Sequence, residues 1–216
     1  MNIKGKKILV TTGPTYEHID PVRFIGNFST GTMGYAIAEL LHEKGADVKL
    51  VSGPVQQTLK YDGIQLFNIV TAQEMLEVCL NLFPEMDGAI MAAAVSDYRP
   101  AQYSQEKIKK KRGNKKIKLI PTVDIAKTLG LMKKKHQFMV GFALESNKGE
   151  EEAKRKLIQK KFDFIVLNSL TDKGAGFGTQ TNKISIIDKQ NNIDKFELKN
   201  KYEVAKDIID KIIQLC

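Results

Sequence analysis

The chain has 216 residues, 42% hydrophobic and 27% charged, which is long enough to bury a core without disulfides or metals and too apolar for intrinsic disorder. It carries 34 Lys plus Arg against 25 Asp plus Glu, and the excess is local: residues 105–135 hold 12 basic residues against Glu106 and Asp124, leaving 22 basic and 23 acidic residues elsewhere. One basic segment on a neutral body points to a local anionic ligand or a solvated loop, and away from general affinity for nucleic acid or membrane.

The N-terminus passes straight into the strand-like run Lys7–Thr12, with no secretory h-region, so the protein reads as cytoplasmic. Helical spacing over 31–45 and a strand over 46–52 follow. A strand over 64–70 leads to a helix from Thr71, its N-cap, to Phe83. This helix contains Cys79, which, like the terminal Cys216, has no histidine nearby, so disulfide frameworks and cysteine catalysis both drop out. Next, Gly88–Val95 is a run of small apolar residues suited to a central strand buried on both faces. After the basic loop come a helix near 123–135, a strand over 138–143, a charged helix over 149–161 and a strand over 164–168. Alternation of this kind is the signature of βαβ units and a mostly parallel sheet. The runs 183–188 and 195–198 read as an appended C-terminal antiparallel hairpin, and a helix over 202–215 closes the chain. With no repeat and no linker, one domain spanning 1–216 is the economical organisation.

No run of about 18 apolar residues is present to span a membrane. In open α/β sheets ligands bind beyond the carboxyl ends of the strands. Thr11-Thr12-Gly13-Pro14-Thr15 follows the first strand, and Gly26–Gly34 opens the first helix, where small residues let backbone amides approach a phosphate. The P-loop reading fails because Thr32-Met33 stands where Lys and Ser/Thr are required, and the dinucleotide fingerprint fails because strand two ends in Val51-Ser52-Gly53 without an acid. Glycines that merely make tight turns are the bland alternative. Arg23 and Asn27, four apart, suit a carboxylate or phosphate. Asp97, after the small-residue strand, suits a metal ion, a sugar hydroxyl or a cap. The basic run at 107–116 suits a mobile lid over polyphosphate or a solvated face. Lys156 and Lys160 share one helix face. The three histidines have no metal-ligand spacing.

Taken together, Thr12-Gly13-Pro14-Thr15, Asp20-Pro21-Val22-Arg23, Asn27–Gly34, Ala92–Tyr98, Lys107–Lys110, Asp124-Ile125 and Gly141–Glu145 resemble, in order and spacing, the synthetase that joins 4′-phosphopantothenate to L-cysteine in coenzyme A biosynthesis. The resemblance covers nearly the whole chain. It implies a Rossmann-like three-layer fold with a mostly parallel sheet, a homodimer, and a flexible basic lid at about residues 98–118. It also implies a ligase dependent on Mg2+ and CTP, with ATP as the alternative nucleotide. In that chemistry the substrate carboxylate attacks the α-phosphate, pyrophosphate leaves, and the cysteine amine displaces CMP from the acyl-nucleotidylate. By the same carry-over Asn27 sits at the acyl intermediate, Arg23 lies near phosphopantothenate, and Ala93 makes a contact across the dimer. Lys107 stabilises charge in the activation step. Gly13, Asp97, Asp124, Ile125, Phe142, Lys156 and Lys160 surround the nucleotide, with Asp97 the candidate Mg2+ ligand. The family often carries a flavin-dependent decarboxylase domain ahead of the synthetase. This sequence starts at the synthetase strand, which suggests a monofunctional form served by a separate decarboxylase.

Two rivals come from other classes. The alternating α/β pattern alone admits an NAD(P)-dependent oxidoreductase, and residues 105–135 alone admit an RNA-binding module, although that segment lacks the interleaved aromatics that stack on bases.

Overall fold

The computed structural model describes residues 3–110, 114–145, 149–169 and 178–215, so Lys111, Arg112 and Gly113 of the basic run and Cys216 lie outside the described residues. In chain order the elements are β1 (Lys7–Thr12), β2 (Glu17–His18), β3 (Phe24–Ile25), α1 (Thr32–Glu43), β4 (Asp47–Ser52), β5 (Gln65–Asn68), α2 (Ala72–Leu82), β6 (Gly88–Met91), β7 (Tyr98–Pro100), β8 (Leu119–Pro121) and α3 (Ile125–Met132). They continue with β9 (Phe138–Glu145), α4 (Gly149–Gln159), β10 (Phe164–Ser169), β11 (Thr181–Asn182), β12 (Ile184–Asp188), β13 (Ile193–Lys195), β14 (Lys199–Asn200) and α5 (Lys201–Leu215).

Eight strands form one sheet in the order β13-β12-β10-β9-β6-β1-β4-β5. The six from β5 to β10 are parallel, and β12 and β13 complete the sheet antiparallel. Consecutive βα units build outward from β1 in both directions, so the strand order reverses between β1 and β6. The parallel strands read as continuous apolar runs because both faces are covered. Along β1, Ile8 and Val10 pack with residues of α1 and α5 on one side, while Leu9 packs with those of α2, α3 and α4 on the other. All three are fully buried. The result is the expected three-layer, Rossmann-like architecture with its C-terminal hairpin.

The strand expected over 64–70 is Gln65–Asn68 and the helix expected near 123–135 is Ile125–Met132, and two further boundary differences have a visible cause. The strand expected over 88–95 leaves the regular ladder after Met91. There the Thr11 hydroxyl accepts the N–H of Ala93 at 3.3 Å, and the Ala94 N–H reaches the carbonyl of Gly13 at 2.8 Å. A side chain thus takes over a ladder bond, and the sheet opens where its strand order reverses. The second hairpin strand is Ile193–Lys195, not 195–198. The Asp188 carboxylate accepts the N–H groups of Gln190 and Asn192, both at 3.0 Å, and Asn191 adopts φ 63°, so the turn closes early.

Helix starts follow local chemistry. Thr71 caps α2 by accepting the Glu74 N–H at 3.2 Å, and Glu74 in turn accepts the Val70 N–H at 2.7 Å. By contrast α1 follows Gly31 at φ 73° and has no side-chain cap. This helix sits flush on β1, since a Cβ at Gly34 would fall 2.3 Å from the Thr12 hydroxyl. Burial pushes the Cys79 thiol up to about 12, so the side chain stays neutral inside α2.

The ends of β1 and β4 are equally tight. A Cβ on Gly53 would lie 1.7 Å from the Pro14 carbonyl oxygen, a backbone atom that cannot step aside. Gly53→Ala is therefore expected to cost about 1–3 kcal/mol or more through overpacking, read as a lowered denaturation midpoint. A midpoint equal to wild type would show that the two strand ends are loosely joined.

Candidate functional site

A cavity of about 430 Å³ opens at the carboxyl ends of the parallel strands, where the strand order reverses. Its floor is the end of β1 (Thr11, Thr12) and the small residues Ala92–Val95, and one wall is the Ser29–Gly34 turn that leads into α1. Thr12 Oγ donates to the Gly31 carbonyl at 2.8 Å, which fixes that turn on the strand. Asn27 reaches the floor, its Nδ2 donating to the Ala94 carbonyl at 2.8 Å. One N–H of the amide is used for orientation, and the second remains for a ligand.

The opposite wall comes from Thr122–Ala126, β9 and α4. Asp124 caps α3 by accepting the Lys127 N–H at 2.9 Å, and its other oxygen pairs with Lys160 at 3.0 Å. Lys156 pairs with Glu145 at 2.5 Å. Both lysines are thus held against the wall by internal carboxylates. Phe142, half-buried on β9, offers an apolar face. Asp97 lines the cavity with an exposed carboxylate that has no partner among the described residues.

Of the residues singled out from sequence, Asn27, Ala93, Asp97, Asp124, Ile125, Phe142, Lys156 and Lys160 line this one cavity. Gly13, Arg23 and Lys107 are not in its lining. Gly13, at φ 75°, turns the chain after β1 and holds Ala94 through its carbonyl, one bond removed from Asn27. Arg23 is engaged elsewhere. Its guanidinium pairs with the fully buried Asp20 carboxylate, and Nη2 also donates to the Ile108 carbonyl at 2.8 Å. Asp20 further accepts the N–H groups of Val22 and Arg23, both at 2.9 Å, and of Ile108 at 3.1 Å. Arg23 beside Asp20 holds that carboxyl well below the usual carboxylate range.

This clasp fastens the middle of the basic segment, beside exposed Lys107, while β7 and β8 pair to close its base. Lys107 is therefore one residue from a fixed point.

Asn168, Asn182 and Lys201 also line the cavity and were not singled out. Asn168 stands one residue before the end of the parallel strand β10, where the strand-end rule finds it. Asn182 and Lys201 come together only through the pairing of β11 with β14, which has no local sequence signal. Among the described residues no group of three or more His, Cys, Asp or Glu is placed to hold a metal ion. None of the described helices is long and apolar enough to cross a membrane.

Strand order, switch-point cavity and glycine-lined helix entry together define an α/β domain of Rossmann type. Residues 3–215 match the family described as the DNA/pantothenate metabolism flavoprotein C-terminal domain, and the chain belongs to that family. Over 213 residues it is 40% identical to the coenzyme A biosynthesis bifunctional protein CoaBC of Bacillus subtilis, covering 99% of this chain and 52% of that protein. It is 52% identical to a protein named cysteine/cysteine sulfinic acid decarboxylase from an unidentified prokaryote, covering 99% of this chain and 59% of that one. The chain thus spans a little over half the length of these relatives. The crystal structure of the C-terminal domain of a CoaBC protein superposes with a TM-score of 0.84 at 39% identity, over 100% of this chain and 98% of that one. A Cab2 variant in complex with phosphopantothenate-cysteine shares the fold, with a TM-score of 0.76 at 17% identity over 97% of this chain and 86% of the other.

The clasp has a measurable consequence. Asp20→Ala should expose the lysine-rich segment, so that limited trypsin digestion cuts it several-fold faster while the sheet resists. Equal cutting rates would show that Asp20 does not hold the segment. Because its carboxyl is depressed in the fold, the contribution of Asp20 is present above the ordinary carboxylate range and is lost progressively as pH falls from about 4 toward the depressed native value. The same acceleration should therefore appear in wild type under acid, read with an acid-active protease.

Proposed function

We propose that the chain is a phosphopantothenate–cysteine ligase that activates its acid substrate with CTP. The observation that carries this reading is the meeting in one switch-point cavity of Asn27, Ala93, Asp97, Asp124, Ile125, Phe142, Lys156 and Lys160, residues far apart in sequence. Family membership and the 39%-identical CoaBC domain support the same assignment.

A carboxylate is a poor acyl donor, because its oxygen cannot leave at neutral pH unless it becomes part of a better leaving group. In the first step a carboxylate oxygen of phosphopantothenate attacks the α-phosphorus of CTP, the bond to the β-phosphate breaks, and pyrophosphate departs. In the second, the cysteine nitrogen attacks the acyl carbon, the acyl–phosphate bond breaks, and amide and CMP result. Asn27 is oriented by the Ala94 carbonyl, so its remaining N–H serves the acyl oxygen as charge develops there. Lys156 and Lys160 face the phosphates, and Phe142 packs on the nucleoside. Lys107 acts from the clasped segment on charge developing in the activation step, and Arg23 acts on phosphopantothenate from the clasp itself.

Mg2+ fits the donor set. That ion keeps several waters and is held by one or two carboxylates plus substrate phosphates. Asp97 has its carboxylate free for that purpose, and the ion would offset charge on the departing pyrophosphate. Val22, Phe24, Phe28, Tyr98 and Leu119 are exposed around the β2–β3 and β7–β8 ribbons, and this apolar flank supports a homodimer.

The test is pyrophosphate release. It should require phosphopantothenate, Mg2+ and CTP, proceed without cysteine, and be weaker with ATP. Folded protein that releases none with either nucleotide would overturn the reading. Asn27→Ala should keep the first step and slow amide formation by about 10²-fold, the worth of one such donor, with acyl-nucleotidylate accumulating. Lys107→Gln should slow the first step instead, seen as a reduced single-turnover rate of pyrophosphate release.

A further inference from the structure

Lys201, the first residue of α5, lines the same cavity and is only 7% exposed. Its main-chain N–H is bound to the Gln180 carbonyl at 3.1 Å, so the position of the residue is fixed. Its ammonium has neither hydrogen-bond nor ion-pair partner among the described residues, and burial alone pushes its pKa down. Most buried lysines are paired, because an unpartnered charge removed from water is costly. Here the two other cavity lysines each hold a carboxylate, Lys156 that of Glu145 and Lys160 that of Asp124, while the most deeply buried one holds none.

A second group in the cavity is equally unsatisfied. The Oδ1 of Asn168 is buried and accepts nothing from the described residues. By contrast, the neighbouring Asn182, 2% exposed, has its Oδ1 occupied by the Lys183 N–H at 3.1 Å. A lone donor and a lone acceptor, both buried and both in a cavity lining, describe a subsite shaped for a ligand with complementary groups.

We propose that Lys201 is a phosphate-binding residue, its ammonium taking an oxygen of the nucleotide polyphosphate, with Asn168 Oδ1 accepting an N–H or O–H of the same ligand. A polyphosphate is the ligand that needs this group. It brings several negative charges into a cavity where two of the cations are already half-neutralised by the protein. The unpartnered ammonium is the cation that gains most from an arriving anion, since nothing must be displaced to reach it. This inference rests on the ligase reading above for the identity of the nucleotide.

Lys201→Met and Lys201→Arg test it, by calorimetric titration with CTP, CMP and cytidine, and with the adenine series in parallel. Lys201→Met should weaken triphosphate binding by at least about tenfold, the worth of one charge-assisted hydrogen bond, and leave nucleoside binding unchanged. Lys201→Arg should restore most of the loss. Thermal melting gives an independent readout: ligand-free Lys201→Met should melt above wild type, because a buried unpaired charge is gone. Unchanged triphosphate affinity, or an equal loss for nucleoside and triphosphate, would overturn the assignment. So would a lowered ligand-free melting point with binding intact, the behaviour of a lysine that serves only the fold. If wild type itself binds no nucleotide, the ligase reading fails and this inference with it. If wild type binds and the variant binds equally, only the role of Lys201 fails.

Discussion

The cavity exists because a helix lies directly on a strand end. Gly34 has no side chain, so the first turn of α1 sits against Thr12, and the Thr12 hydroxyl holds the carbonyl of Gly31. On the other side of β1, Gly53 lets the end of β4 close against Pro14. These contacts are backbone to backbone or backbone to a single hydroxyl, so they tolerate little adjustment. From this fixed corner Gly13 holds Ala94, Ala94 orients Asn27, and the row of alanines leaves volume above the sheet. Asn27 is thereby placed by a chain of main-chain bonds, the kind of positioning that the role proposed for it at the acyl oxygen requires.

Electrostatics on the opposite wall follow a different rule. Lys156 and Lys160 are held at the cavity wall by Glu145 and Asp124, and Asp124 is itself immobilised as the cap of α3. A polyanion entering the cavity meets cations whose rotamers are already chosen, which lowers the entropic cost of binding them. The internal carboxylates also temper the field, so that the ligand-free domain does not present three bare ammonium groups to one another.

Fold class was readable because the strongest signals in the sequence were physical ones. Strands buried on both faces must be continuously apolar, as Ile8–Val10 and Gly88–Met91 are, and helices between them must carry an apolar stripe. Eight of the cavity residues were also within reach, because strand ends and helix starts are where α/β sheets bind ligands. What escaped was set by tertiary placement. The strand at Gly88 ends at Met91 because the Thr11 hydroxyl intervenes, and the hairpin shifts because Asp188 gathers its turn. Arg23 looked like a free anion clamp, yet it is committed to Asp20, a residue whose burial no local pattern reveals. Lys201, just ahead of the helix expected over 202–215, carries no local signal that sets it apart. Only the strand pair that precedes it turns it inward.

The clasp on the basic segment is built unevenly. Asp20 and Arg23 contribute side chains, whereas Ile108 contributes only its main-chain N–H and C=O. Any residue except proline supplies both groups at position 108. The attachment point is therefore indifferent to what the segment is made of. Lysines can be gained, lost or shifted around that point over evolutionary time without moving it, so the electrostatic character of the segment and its location are separately adjustable. A domain with this arrangement can be retuned for a differently charged substrate while its scaffold is left alone.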